Sequence, residues 1–170
     1  MRFTNGSRNG GSVGLPVGSQ LFAGLTSDVV FGYSDAGEIT RLRVDAAGVT
    51  ATGSVAGGPF RGRIAAAGGR LYDSAGRAVD MATLTVAGTC TVTADVVAPD
   101  LENNRIFYVR SDAALVTLSV CTPTTGALRS REIPNFGSAL GNLLDALYIG
   151  AGRLALVGSN GIVLLDPANL

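Results

Sequence analysis

Three groups of residues in this chain have types that could do chemistry. They are two cysteines, an oxygen-rich stretch and a glycine-rich stretch. Cys90 and Cys121 lie 31 residues apart, which matches no CxxC spacing and so suggests neither a zinc knuckle nor a dithiol redox centre. Two readings stay open for them: a disulfide if the chain is exported, or two unpaired small apolar side chains. Asp95, Asp100, Glu102, Asn103 and Asn104 offer the oxygen ligands that hard cations want. They lack the alternating D-x-D-x-D-G order, so the stretch reads as a solvated hairpin turn and no metal site is assigned. Gly10-Gly11-Ser12-Val13-Gly14 has the glycine but neither the Gly-Lys-Ser/Thr nor the strand–loop–helix context of a phosphate cradle. It reads as flexible leader.

Composition narrows the chemistry further. The 170 residues include no histidine, which removes the side chain that most often moves protons near neutral pH. Ser-His-Asp and Cys-His nucleophile pairs and most zinc sites go with it. No catalytic residue and no cofactor is expected. Thirteen basic residues, all arginine, balance 13 acidic ones, so no basic excess points to nucleic acid or an anionic membrane. Apolar residues make up 46% and charged residues 15%, with 24 glycines; that describes a folded, turn-rich chain. No membrane span is expected, because the most apolar run, 139–157, is broken by Asn142, Asp145 and Arg153. Residues 1–20 have no apolar h-region and do not read as a secretory signal.

The elements that must position any site repeat along the chain. A Val/Leu–Asp-type dipeptide precedes a small turn and an apolar residue at Val44-Asp45, Val79-Asp80, Val120-Cys121 and Leu165-Asp166. The second positions step by 35, 41 and 45 residues, and a period near 40 in a strand-rich sequence marks propeller blades. A second element starts a strand after a tight turn: Asp28-Val29-Val30-Phe31, Gly69-Arg70-Leu71-Tyr72, Asn104-Arg105-Ile106-Phe107 and Gly152-Arg153-Leu154-Ala155. Each unit resolves into four short strands. In the second unit they are 62–66, 70–73, 77–81 and 84–91; in the third they are 96–98, 105–110, 115–120 and 127–133. The repeated aspartates suit Asx turns, accepting backbone N–H groups two residues on. Residues 138–147 carry some helical spacing; a strand, preceded by a short helical turn, fits the unit alignment better. The expected fold is an all-β propeller of about four four-stranded blades, at roughly 21–55, 56–91, 92–135 and 136–170. Residues 1–20 are leader or closure strand: Ser12–Val17 could complete the last blade and close a small ring, the alternative being part of a larger ring.

These residues bring a family into view. Val30-Phe31-Gly32-Tyr33, Arg41-Leu42-Arg43-Val44-Asp45-Ala46-Ala47-Gly48-Val49-Thr50, Gly69-Arg70-Leu71-Tyr72 with Val79-Asp80, and Ala151-Gly152-Arg153-Leu154-Ala155-Leu156 carry the likeness. From Leu21 to Leu165 the chain resembles the C-terminal blades of bacterial seven-bladed propellers related to streptogramin-lyase-like and lactonase-like propellers. The resemblance implies a ring of four-stranded blades in an exported or cell-surface protein, often without assigned activity. Enzymes in that group use histidine and metal-binding acidic residues in the central channel, and this chain lacks the histidine.

In such a ring the loops of one face gather the polar groups. They would hold Asp35, Glu38, Asp73, Arg77, Arg110, Asp112, Ser159 and Asn160, with Phe60, Arg61 and Phe136 on the connections between blades. Loops on a rigid scaffold are where binding groups concentrate, and aromatic and arginine side chains anchor protein or glycan contacts. The leading expectation is a non-enzymatic binding or scaffolding module. The alternatives are a fragment of a lyase- or lactonase-type enzyme, or a structural repeat that assembles a ring from two chains. Blade faces left open would invite self-association.

Overall fold

The structure, a computed structural model, describes residues 2–4, 7–9, 20–34, 36–56, 63–112, 115–134 and 139–166. It falls into two units: Met1–Phe60 with Asp80–Thr85, and Arg61–Val79 with Val86–Leu170.

In the first unit, β1 (Arg2–Thr4) and β2 (Ser7–Asn9) form a short hairpin. A four-stranded antiparallel meander follows: β3 (Gln20–Ala23), β4 (Val29–Tyr33), β5 (Ile39–Asp45) and β6 (Gly48–Val55). Its buried side chains include Phe31, Tyr33, Ile39 and Leu42. The β5–β6 turn is the expected Asx turn, with Asp45 Oδ1 accepting the Ala47 N–H at 2.8 Å.

The second unit holds three more meanders in chain order. The second sheet is β7 (Ile64–Ala67), β8 (Arg70–Asp73), β9 (Arg77–Asp80) and β10 (Val86–Thr89). The third is β11 (Val96–Asp100), β12 (Arg105–Ser111), β13 (Leu115–Thr122) and β14 (Ala127–Pro134). The fourth has three strands among the described residues, β15 (Leu143–Tyr148), β16 (Leu154–Gly158) and β17 (Gly161–Leu165). The first strands neighbour one another: β11 lies against β7 and β8 on one side and β15 on the other.

Period-2 alternation sorts the third sheet's side chains onto two faces. Val97, Ile106, Tyr108 and Cys121 pack with Tyr72, Ala78 and Cys90 on the side of the second sheet. Val96, Ala98, Phe107, Val109, Val116 and Leu118 pack with Leu140, Ala146, Leu154 and Leu156 on the side of the fourth. A disulfide joins Cys90, just beyond β10, to Cys121 on β13, with the two Cα atoms 6.4 Å apart. Cys121 stands where the other units have the repeated aspartate.

Some elements differ from the sequence expectation. The outer strand of the second sheet begins at Val86 rather than Leu84. Asp80 takes the intervening turn: its Oδ1 accepts the Ala82 and Thr83 N–H groups at 2.9 and 2.8 Å. The Leu84 N–H then donates to the Asp80 carbonyl, which leaves Leu84 at φ 57°. Ahead of β15, Ala139 and Leu140 are helical, and the chain becomes strand at Leu143. Ser12–Val17, the proposed closure strand, lies outside the described residues.

Candidate functional site: turn carboxylates and an open sheet face

The expected loop face resolves into separate turns, each of which uses its own polar groups. Asp73 ends β8 and Arg77 begins β9, with Gly76 at φ 87° between them. A Cβ on Gly76 would overlap the Cys90 carbonyl, so this turn is pressed against the chain that carries the disulfide. Asp73 and Arg77 are not on an open loop; their exposures are 1% and 8%. Asp73 Oδ2 accepts the Arg77 Nε–H at 2.8 Å, and Oδ1 accepts the backbone N–H groups of Arg77 and Ala75 at 2.9 and 3.1 Å. Burial pushes the Asp73 carboxyl above its ordinary value, and the donors from Arg77 and Ala75 only partly oppose that shift. The pair closes a turn inside the fold. It does not present a charge to a ligand.

The oxygen-rich stretch behaves in the same way. Asp100 is fully buried at the end of β11 and takes the Arg105 Nη2–H and Nε–H at 2.7 and 3.1 Å. Asn103 Nδ2 donates to its two oxygens at 2.9 and 3.1 Å, and Asn104 occupies the left-handed region at φ 50°. Asp95 Oδ2 accepts the Ser111 N–H at 2.8 Å. Among the described residues, no three acidic or cysteine side chains converge as a cation would need.

The other loop candidates are spread over different turns. Glu38 shares a turn with Ser34, its N–H donating to Ser34 Oγ at 3.2 Å. Arg110 is exposed on β12, and Asp112 Oδ1 accepts the Leu115 N–H at 3.3 Å. Ser159 and Asn160 form the tight β16–β17 turn. The Ser159 N–H donates to the Asn142 carbonyl and the Asn160 N–H to the Leu140 carbonyl. Of the candidates, the structure brings together Asp73 with Arg77, and Ser159 with Asn160. Asp35, Phe60, Arg61 and Phe136 lie outside the described residues.

Three features escape the sequence reading. Tyr108 is 1% exposed, and among the described residues its hydroxyl has no hydrogen-bond partner. Burial, with the charges of Asp73 and Tyr72 nearby, drives its pKa far above the ordinary range, so it stays a neutral phenol. In the first unit, Leu25, Thr26, Val29, Phe31, Met81, Ala82 and Arg41 line an open hollow of about 250 Å³. Arg41 is already held there by Thr52 Oγ1 and the Ala82 carbonyl, at 3.1 and 2.7 Å.

The third feature is the fourth sheet. Its register places Ala146, Leu156 and Val163 on one face with Tyr148, Leu154 and Leu165. That face packs on the third sheet. The opposite face carries Leu147, Ala155 and Leu164 in one row and Asp145, Val157 and Ile162 in the next. Leu147, Leu164 and Ile162 are 51%, 57% and 67% exposed. The uncharged run Gly161-Ile162-Val163-Leu164-Leu165 is the signal in the sequence for this face. Charged groups sit at its margins: Arg63 pairs with Asp145 at 3.3 Å, and Arg153 and Asp166 border a small hollow with Leu164.

No protein-family model matches this chain, and no curated protein does. Among solved structures, it is similar to the crystal structure of BamB from Moraxella catarrhalis, with a TM-score of 0.56 at 14% identity. The match covers 86% of this chain and 48% of that one, so the chain spans about half the length of the protein it matches. The likeness is one of fold. With four antiparallel meanders in succession, it makes this an all-β protein of the β-propeller class.

Proposed function

We propose that this chain is a non-enzymatic β-propeller module of an exported bacterial protein, and that it works by docking another polypeptide. The observation that carries this reading is the open face of the fourth sheet. Exposed Leu147, Leu164 and Ile162 stand there beside the buried Ala155 and half-buried Val157, on strands whose other face is buried. Contiguous apolar patches with a polar margin are the usual mark of protein contact. Aliphatic rows without aromatic or hydroxyl groups suit a polypeptide better than a glycan. The turn carboxylates support the non-enzymatic part, because Asp73 and Asp100 are bonded into their own hairpins. The disulfide supports export, since such bonds persist in oxidising compartments.

A photo-crosslinking residue at position 164 tests the docking. In cells it should give a covalent adduct with a polypeptide, while the same residue at exposed Thr124 gives none. The absence of any adduct from position 164 overturns the reading. Stoichiometric divalent metal in the purified protein, together with turnover of a lactone, would replace it with the enzyme reading.

A further inference from the structure

We infer that the hollow in the first unit binds a small aliphatic carboxylate; the inference goes beyond the docking reading and does not rest on it. Two turns and one cross-strand pair build the hollow. Phe31 on β4 stands opposite Arg41 on β5, so the two side chains share a face of the first sheet. The turn before β4 is closed by the Gly24 N–H donating to the Val29 carbonyl and the Val29 N–H to the Thr26 carbonyl, at 2.9 and 3.1 Å. That turn supplies Leu25 and Val29 to the lining, and the Asp80 turn adds Met81 and Ala82. Phe31 and Met81 are buried and Leu25 is exposed, so apolar walls run from the core out to solvent.

Arg41 is the charged member of this lining. Its Nε–H donates to Thr52 Oγ1 and its Nη1–H to the Ala82 carbonyl, and these bonds hold the guanidinium in place. A guanidinium has five N–H donors, so three remain, and both Nη2 donors are among them. Arg43, Arg63, Arg77 and Arg105 each have a carboxylate partner, whereas among the described residues Arg41 has none. The nearby acids are engaged elsewhere. Asp28 accepts the Thr26 hydroxyl at 2.6 Å and lies 3.8 Å from Arg43, and Asp80 Oδ1 takes the Ala82 and Thr83 N–H groups. A fixed, half-buried cation beside apolar walls matches a ligand with one anionic end and an apolar body. The Thr26 hydroxyl and the Ala82 carbonyl are already taken, so the lining suits a single polar end better than the row of amides in a peptide. At about 30 Å³ for each water-sized group, the hollow of about 250 Å³ holds about eight non-hydrogen atoms, the size of hexanoate.

Titration of hexanoate into the isotope-labelled full chain, followed by NMR, tests this. The backbone amide signals of Val29, Phe31, Arg41 and Ala82 should move saturably, with a dissociation constant below about 1 mM. Hexanol keeps the tail without the charge, and acetate keeps the charge without the tail; each should bind at least ~10-fold more weakly. Arg41→Gln should weaken hexanoate at least ~10-fold with unchanged far-UV circular dichroism, while Arg110→Gln, in the second unit, should leave its binding unchanged. If Arg41→Gln fails to fold, Leu25→Ser at the exposed rim should still weaken hexanoate about 5-fold, and unchanged binding there overturns the inference. So does hexanoate that moves none of these signals at millimolar concentration, or that binds Arg41→Gln as tightly as wild type. Hexanol binding as tightly as hexanoate overturns the role of the charge and the inference with it. A peptide with an apolar last residue and a free carboxylate that moves the same signals more tightly than hexanoate overturns it in favour of a chain terminus.

Discussion

β14 and β17 are each the last strand of their sheet among the described residues, the fourth strand in one and the third in the other, and their surfaces are opposites. β14 reads Ala-Leu-Arg-Ser-Arg-Glu-Ile-Pro, with charges at Arg129, Arg131 and Glu132 and a proline at its end. β17 reads Gly-Ile-Val-Leu-Leu. Charged side chains and proline are the devices by which sheet edges avoid pairing with other chains. The third sheet is finished: both faces are covered, its edge is guarded, and a disulfide ties it to the second. Among the described residues, the fourth is covered on one face only. Stability is concentrated in the first of these and the capacity for contact in the second, a division that substitutions can test.

The largest effect should come from the brace of the finished sheet. Replacing both Cys90 and Cys121 with serine opens a loop of 31 residues in sequence separation. Chain entropy alone puts the loss at about 3–4 kcal/mol. Urea denaturation of the oxidised wild type against the double variant checks this. A loss below about 1 kcal/mol would mean that packing across Tyr72, Ile106 and Tyr108 holds the sheets without the bond.

Next comes a matched pair of leucines. Leu118 is 2% exposed in the core between the third and fourth sheets, and its replacement by alanine should cost about 3 kcal/mol. Leu164→Ala, on the open face, should change monomer stability by less than about 0.5 kcal/mol. Equal losses at dilute concentration would erase the distinction between the two sheets.

The hairpins that enter these sheets differ too. Asp100 anchors the β11–β12 turn through Arg105 and Asn103, so Asp100→Ala leaves three side-chain donors without their acceptor. The expected cost is about 2–3 kcal/mol, read from the shift in the urea midpoint. Within the same finished sheet, Tyr108→Phe should have the opposite sign. It removes a buried hydroxyl that has no partner among the described residues, and a gain of about 1 kcal/mol is expected.

How much of this was legible depended on whether the signal was local. The second strand of the second sheet, 70–73, could be read because a tight turn, an arginine and two apolar residues all sit within one hairpin. Residues 105–110 and 115–120 fall inside β12 and β13 for the same reason. Leu84 was misplaced because its N–H is taken by the Asp80 carbonyl four residues earlier, and apolar character alone cannot show that. The site was less legible than the strands. Asp73 and Arg77 read as charged loop tips, since sequence gives residue type and not depth, and the structure buries both. Tyr108 carries no sequence mark of its unpaired hydroxyl. The open face of β17 was visible as an uncharged run, but that run also fits a strand buried on both sides, and the presence of a neighbour is a fact of the fold.

The smallest effect concerns the hairpin of the fourth sheet, which has no carboxylate anchor. Gly150, Ala151 and Gly152 turn the chain between β15 and β16 with φ values of 82°, 51° and 73°. All three lie in the left-handed region, where a Cβ costs roughly 1–2 kcal/mol by its approach to the following carbonyl. Ala151 bears that cost, and the Asp100 turn avoids it by placing Asn104 at its own left-handed position. Ala151→Gly relieves the strain but admits more freedom to the unfolded chain, a penalty of about 0.5–1 kcal/mol. The balance is a gain of roughly 0.5 kcal/mol. Gly152→Ala should lose about 1 kcal/mol, although a Cβ there meets nothing within 4 Å, because the loss is conformational and not steric crowding by neighbours. Thermal melts of the two variants at equal dilute concentration should therefore move in opposite directions. If they move together, the turn is set by contacts beyond its own backbone, and the fourth sheet is less independent of its surroundings than its open face implies.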